Sequence, residues 1–219
     1  MGSIIAICSS KGGVGKTTLT TALAVNLAAI RYQVAVCDAD RNQAFAVWHK
    51  TTYDGPALSV TSEIDHNAIV GHLMGLAEKS DVVLADTAGF ENQTAVFAMG
   101  TADLVLIPCM ADRNSVLEAR KTAGQVESIG KIARRSIPYR IILTRWNPKG
   151  LSDKATLEDI EAAGLPRIKQ HVPDLVAFQK STFSGLVPIS GLVGIQMDRI
   201  IEELVALEAL PAKLREKDA

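Results

Sequence analysis

Residues 8–18 read Cys8-Ser9-Ser10-Lys11-Gly12-Gly13-Val14-Gly15-Lys16-Thr17-Thr18, and this glycine-rich stretch decides the fold. An apolar run precedes it at residues 3–8, and a helix-like run follows it to residue 30. A strand, a glycine-rich loop and a helix in that order form a P-loop, whose backbone N–H groups and helix dipole attract phosphate. Glycines suit such a loop because they have no Cβ and adopt positive φ. The pattern predicts Lys16 on the β- and γ-phosphates and the Thr17 hydroxyl on Mg²⁺.

Two later apolar runs end in carboxylates. Residues 33–38 lead into Asp38-Ala39-Asp40, and residues 81–86 end at Asp86, followed by Thr87-Ala88-Gly89. Carboxylates at the carboxyl ends of parallel strands point into the ligand crevice, so we expect them near the P-loop. A solvated turn with an aspartate as helix cap is the alternative for Asp38 and Asp40.

Strands alternate with helices along the whole chain, which predicts one α/β domain over residues 1–219 with a doubly wound, mainly parallel sheet flanked by helices. The expected strands are residues 3–8, 33–38, 58–60, 81–86, 103–108, 137–144 and 165–172. The expected helices are residues 17–30, 44–50, 66–79, 91–100, 113–129, 152–163, 176–183 and 196–207. Ser152 is predicted to cap the sixth of these helices, and the charged tail at 211–219 is predicted to fray.

The composition excludes several classes of protein. Hydrophobic residues make up 47% of the 219 residues, enough for a large core, while aromatics at 5% argue against a base-stacking surface. The three cysteines lie in apolar runs without metal-ligand spacing, as buried thiols in a reducing compartment do. No run reaches membrane-spanning length, and the start lacks signal-peptide features, so we expect a cytoplasmic protein.

The charge is unevenly distributed although the net charge is only −1. Residues 113–149 contain nine basic side chains against Glu118 and Glu127. Such a segment can form the footprint of a polyanion or simply the solvated face of a helix, and the sequence leaves both open.

The exact wording of the glycine-rich loop points to a family. Lys11-Gly12-Gly13-Val14-Gly15-Lys16-Thr17, with Ser10 where the common motif has its first glycine, is the deviant Walker A loop, and here the chain resembles the ParA/MinD family of ATPases. The resemblance implies ATP and Mg²⁺ as ligands. Nucleotide-binding residues would be Lys11, Gly12, Gly13, Val14, Gly15, Lys16, Thr17, Thr18, Thr144 and Arg145. Thr17, Asp38 and Asp86 would lie at the metal.

The same resemblance assigns catalytic roles. Lys11 would reach the phosphates of a partner subunit, Lys16 would neutralise charge, and Asp40 would position or polarise the attacking water. The family often continues Asp-Pro-Gln after this aspartate, whereas this chain reads Asp40-Arg41-Asn42-Gln43, so its switch turn departs from the family pattern.

Short plasmid-type ParA partition proteins and their VirC relatives are the most similar branch. They imply a homodimer when ATP is bound, non-specific DNA binding at the nucleoid, and hydrolysis stimulated by a ParB-like or other adaptor. The family's work is to segregate or position a plasmid, a chromosome region or another cargo. Candidate DNA-binding residues are Arg120, Arg134, Arg135, Arg167, Lys169 and Lys180.

Other functions stay open. A metabolic P-loop enzyme, or an adaptor that binds ATP without DNA, would use the same loop. A MinD-like membrane-associated ATPase would need a basic amphipathic C-terminal helix, and residues 214–219 are too short and too acidic for one, so no membrane partner is expected. A nitrogenase-like iron–sulfur reductase would need a second suitable cysteine after Cys109.

Overall fold

A computed structural model describes residues 1–89, 92–173 and 176–213. Its centre is a seven-stranded sheet in the order β3-β2-β4-β1-β5-β6-β7, and every pairing is parallel. The strands are β1 (Ser3–Ile7), β2 (Val34–Ala39), β3 (Ser59–Ser62), β4 (Val82–Thr87), β5 (Leu104–Cys109), β6 (Tyr139–Trp146) and β7 (Arg167–Pro173). The predicted α/β fold is confirmed.

Helices cover both faces of the sheet. They are α1 (Lys16–Ala29), α2 (Ala44–Thr51), α3 (Ile69–Ala77), α4 (Gln93–Thr101), α5 (Arg113–Ala133), α6 (Leu151–Ala162), α7 (Val176–Ser184) and α8 (Gly191–Ala206). The core residues of α3 to α6 pack on one face, and those of α1, α2, α7 and α8 pack on the other. Buried apolar strands covered on both faces are what a parallel sheet requires.

Several predicted boundaries were wrong. Helix α6 begins at Leu151 with Gly150 as its N-cap, so Ser152 is not the cap. The Asp153 carboxylate stabilises the turn before α6, because its Oδ1 accepts the Asn147 N–H at 2.8 Å. Helix α8 begins at Gly191, five residues earlier than predicted, and Gly194 lies so close to the Ile189 backbone that a Cβ would collide with it.

Other predictions fall partly outside the described residues. The predicted helix at 91–100 begins with Glu91, which is not described, and the observed α4 begins at Gln93. The predicted frayed tail is described only to Lys213. The three cysteines are buried as expected, and burial raises the pKa of each thiol to about 12.

The strand order brings the predicted motifs to one edge. Strand β1, which leads into the P-loop, lies between β4 and β5, and β4 also pairs with β2. Asp86 is in register with Ile7 on one side and with Asp38 on the other. The carboxyl ends of β1, β2 and β4 therefore meet beside the P-loop. Within the described ranges, no helix combines the length and apolarity that crossing a membrane would need.

Candidate nucleotide-binding site

The glycine-rich loop forms an open cradle at the start of α1. Gly13 and Gly15 have φ of +75° and +89°, in the left-handed region that favours glycine. A Cβ built on Gly12 or Gly13 meets no atom within 4 Å, so the loop faces open space. Gly15 is the N-cap of α1 and supplies no side-chain cap, which leaves the first N–H groups of α1 available to an anion.

The two loop lysines have different partners. Lys16 Nζ lies 3.5 Å from the Lys11 carbonyl oxygen and thus stays over the loop. Lys11 Nζ turns to the N-terminus of α5, where it contacts both Asp112 carboxylate oxygens at 2.9 and 3.0 Å and donates to Ser115 Oγ at 2.9 Å. The sequence did not single out Asp112 or Ser115, although Asp112 follows the carboxyl end of β5.

A second link ties the loop to α5. Ser10, which replaces the first glycine of the common motif, donates its hydroxyl to Glu118 Oε2 at 2.6 Å. The Ser10 N–H donates to Thr122 Oγ1 at 3.3 Å. The first half of the P-loop is thus fastened to the first three turns of α5 by contacts that local sequence reasoning missed.

Asp86 is the carboxylate that fits a metal. It is 1% exposed, and its Oδ1 is buried without a hydrogen-bond partner among the described residues. Burial raises its pKa to about 7 against the lowering effect of a Thr17 hydrogen bond, and the nearby Asp38 charge adds to the rise. A buried carboxylate oxygen without a partner, next to a threonine hydroxyl, suits a hard divalent cation.

Asp38 and Asp40 shape the turn after β2. The Asp38 oxygens accept backbone N–H groups from Asp40 at 3.1 Å and from Ala46 at 2.9 Å. Asp40 Oδ1 accepts the Asn42 N–H at 2.9 Å, and Asp40, which directly follows the carboxyl end of β2, is half-buried. Gln43 enters α2 with φ of +47°, so this turn closes without the family's proline. The geometry favours Asp38 as the residue that positions the turn and Asp86 as the carboxylate that faces a metal.

No group of three or more His, Cys, Asp or Glu side chains that could hold a metal ion occurs in the described part of the chain. Thr17 and Asp86 therefore fit a metal that takes its other ligands from phosphate and water, as Mg²⁺ commonly does.

A cavity of about 380 Å³ adjoins the cradle and can hold a base. Gly15 and Thr18 form its floor, Thr144 and Arg145 one wall, and α7 the other, through Phe178, Gln179, Thr182 and Phe183. Thr144 lines the cavity, but its hydroxyl donates to the Val14 carbonyl at 2.8 Å and so supports the P-loop. Arg145 is exposed and has φ of +50°. The sequence analysis did not predict these α7 residues as part of the site. Their position just after the carboxyl end of β7 could have indicated them.

The six basic candidates lie on α5, just beyond its end, on β7 and on α7. Arg120 lies within α5, while Arg134 and Arg135 lie at its end, about 20 Å farther along the helix axis by helical rise. Arg135 Nη2 donates to the carbonyls of Gly100 and Ala102 at 2.6 and 2.9 Å, and Arg167 bonds two carbonyls of its own strand. Lys169 and Lys180 are exposed on β7 and α7.

Comparison with known proteins agrees with this geometry. Residues 5–189 match the model of the family described as the CobQ/CobB/MinD/ParA nucleotide binding domain. The chain is 27% identical to Protein ParA of Rhizobium radiobacter over 66% of this chain and 65% of that protein, just under two thirds of that relative's length. It is 26% identical to Protein virC1 of the same organism over 97% of this chain and 99% of virC1.

The fold also matches a solved relative. The ATP complex of a McdA variant from Cyanothece superimposes with a TM-score of 0.78 at 17% identity, covering 97% of this chain and 98% of that one.

The cradle, the lysine pair, the strand-end carboxylates and the match over residues 5–189 agree, and the chain belongs to the CobQ/CobB/MinD/ParA family of nucleotide-binding domains.

Proposed function

We propose that the chain is a single-domain, ParA-like ATPase that binds ATP with Mg²⁺, dimerises in that state and then binds DNA non-specifically. ATP hydrolysis would be slow in the protein alone and faster with a ParB-like or other adaptor. Hydrolysis would release the protein from DNA. The observation that carries the proposal is the open P-loop cradle with two lysines beside Asp86, whose buried Oδ1 has no hydrogen-bond partner among the described residues. A relative named ParA and another named for maintenance of carboxysome distribution support the same class of work.

Charge neutralisation and positioning do most of the chemistry in phosphoryl transfer. The N–H groups of residues 12–18 and the Lys16 ammonium hold the phosphates, and the base lies in the cavity against Thr144, Arg145 and α7. Mg²⁺, when bound, neutralises charge on the phosphate oxygens. Thr17 and Asp86 are the residues that would hold it.

We infer that Asp40 orients the attacking water. Asp40 directly follows the carboxyl end of β2, and its carboxylate keeps one oxygen on the Asn42 N–H, which fixes its direction. The second carboxylate oxygen is then available to accept a hydrogen bond from water and draw it toward the terminal phosphate.

Dimerisation would use Lys11. Its side chain is 30% exposed, and its contacts with Asp112 and Ser115 are with side chains that lie outside the loop. A partner's phosphates offer more negative charge than one carboxylate, so we infer that Lys11 exchanges Asp112 for them when two loaded copies meet.

DNA binding would follow from pairing two basic surfaces. Arg120, Arg134, Lys169 and Lys180 are exposed and are the favoured contacts, whereas Arg135 and Arg167 are already engaged with carbonyl groups. The affinity would be electrostatic and would fall with added salt. Such binding would associate a cytoplasmic protein with the nucleoid.

Co-sedimentation with DNA tests this function. The protein is mixed with DNA and ADP, ATP or a slowly hydrolysed ATP analogue, across a salt series. We expect retention only with a triphosphate, weakened by salt, and none for Lys16→Ala. Equal retention with ADP and ATP, or no retention at low salt, would contradict the partition function and favour a metabolic enzyme or an adaptor.

A further inference from the structure

A second cavity of about 430 Å³ lies between α1, α2 and α7. It is next to the 380 Å³ cavity proposed to hold the nucleotide base, which we call the base cavity. Thr17 and Thr21 of α1 line it, whereas Gly15 and Leu19 line the base cavity. Thr18, Phe178 and Thr182 contribute to both and form the shared wall. We call this space the α1–α2–α7 cavity. No step of the nucleotide chemistry described above needs a ligand in this space.

The lining of this cavity is neutral. None of its twelve residues carries a charge. Three are aromatic, namely Phe45, Trp48 and Phe178, and most of the others carry hydroxyl groups. Trp48 Nε1 already donates to the Ser181 carbonyl at 3.0 Å, so its ring is held in place. A charged ligand would lose its hydration here without gaining an ionic partner, whereas a neutral ring would pack on the aromatic wall.

The cavity touches the hydrolytic machinery at two points. Thr17, the candidate metal ligand, forms part of its wall, and so does Asn42. The Asn42 N–H holds Asp40 Oδ1 at 2.9 Å, and the next residue, Gln43, is in the left-handed region with φ of +47°. An occupant that contacts Asn42 therefore stabilises the turn that aims Asp40.

The size and opening of the cavity indicate the kind of occupant. Its volume of about 430 Å³ is within the range of ligand-binding pockets, so it can admit an aromatic side chain. Val47 lies in the lining and is 54% exposed, so the cavity opens to the surface. A side chain carried by another protein can enter there without unfolding the wall.

We propose that the α1–α2–α7 cavity receives a neutral aromatic side chain of the protein that stimulates hydrolysis. Seating the ring fixes Asn42, and through it Asp40, in the orientation that turnover needs. The stimulation rests on the proposed ATPase function, whereas binding of the ring does not.

Trp48 provides the readout for binding. The chain has two tryptophans, so Trp146→Phe leaves Trp48 as the only one. The probe is N-acetyl-phenylalaninamide, an uncharged copy of a phenylalanine residue, with tryptophan excited where phenylalanine does not absorb. We expect a saturable shift of Trp48 emission without nucleotide. If Trp146→Phe folds poorly, the indole N–H signals of the wild-type chain report the same event by NMR.

Two matched variants locate the binding. Ala44 lines the cavity, so Ala44→Phe fills it and should abolish the shift. Ala155→Phe adds the same ring on the exposed face of α6 and should leave the shift unchanged. An unsaturable signal, or equal binding to both variants, would overturn the proposal. Competition by ATP that persists in Ala44→Phe would place the probe in the base cavity and overturn it as well.

Charge and turnover complete the test. Zwitterionic phenylalanine should bind at least about tenfold more weakly than the capped amide, because the lining offers no ionic partner. Saturating amide should raise ATP turnover about twofold or more in the wild type and not in Ala44→Phe. Binding without any change in turnover would refute the coupling to Asp40. A wild type that hydrolyses no ATP would instead refute the proposed function and leave the binding result standing.

Discussion

Lys11 Nζ lies 2.9 Å from Asp112 Oδ1, an intramolecular ion pair across 101 residues of sequence. The pair holds the first P-loop lysine against the N-terminus of α5. Partial burial works to raise the pKa of Asp112, but hydrogen bonds from Ser115 and Lys11 prevail and hold it below its usual value. Asp112 is therefore ionised at neutral pH, and under the proposed function the contact would compete with dimerisation through Lys11.

Asp112→Asn should favour the ATP-bound dimer. Asparagine keeps the N-cap of α5 but removes the charge that holds Lys11. Since the pair is about a third exposed, we expect at most about a fivefold lower dimer dissociation constant, from about 1 kcal/mol or less. Analytical ultracentrifugation with a slowly hydrolysed ATP analogue measures the change.

The matched control breaks another ion pair of similar exposure. Lys213 Nζ lies 2.6 Å from Asp81 Oδ2, near the amino ends of the strands and at the opposite edge of the sheet from the P-loop. Asp81→Asn should therefore leave the dimer dissociation constant unchanged. Equal effects of the two substitutions would mean that Lys11 is not restrained by Asp112 in solution.

Asp86→Asn should stabilise the metal-free protein at neutral pH. Burial raises the folded pKa of Asp86 from 3.8 to about 7, so at intermediate pH the unfolded chain binds fewer protons at this group. The free energy of unfolding should then fall as pH rises through that window, by up to about 1.4 kcal/mol for each pH unit. Asparagine removes this slope while it also removes the metal ligand.

Calorimetric melting in the presence of a chelator, over a pH series, tests this dependence. Asp38→Asn serves as the contrast. Its two carboxylate oxygens each accept a backbone N–H, so an amide nitrogen there would face a donor and should lower the Tm. A Tm for Asp86→Asn that stays below the wild type at neutral pH would refute the assigned ionisation.

Lys16→Ala and Asp40→Ala should separate binding from hydrolysis. Without Lys16 the cradle loses its phosphate-facing ammonium, so ATP binding should fall below detection by calorimetric titration. Asp40→Ala should keep ATP binding and accumulate an ATP-bound dimer, because only the attacking water loses its guide. Parental hydrolysis by Asp40→Ala would show that another group orients the water.

Arg134 and Arg135 should behave differently although they are neighbours. Arg135→Ala removes two hydrogen bonds to the carbonyls of Gly100 and Ala102 and should cost about 1–2 kcal/mol of unfolding free energy. Arg134→Ala should leave stability nearly unchanged and weaken DNA retention. Urea unfolding and DNA co-sedimentation of the two variants distinguish the roles. The reverse pattern would assign the structural role to Arg134 and the DNA-binding role to Arg135.

The sequence predicted what depends on local pattern. The P-loop needs glycines at fixed positions, and Asp38 and Asp86 follow apolar strands, so their meeting at one edge could be foreseen. The Lys11–Asp112 pair and the Ser10–Glu118 bond join residues more than 100 positions apart, and no local pattern encodes them. Ser152 was a good cap by type, but Asp153 accepts the Asn147 N–H and the N-cap is Gly150, two residues earlier.

The central claim is that bound ATP moves Lys11 from its own Asp112 to the phosphates of a second copy. A crystal structure of Asp40→Ala with ATP and Mg²⁺ tests it most directly. We predict a two-fold dimer in which Lys11 Nζ lies within hydrogen-bond distance of the partner's phosphate oxygens and has left Asp112. A loaded monomer, or a dimer in which Lys11 still pairs with Asp112, would contradict the claim.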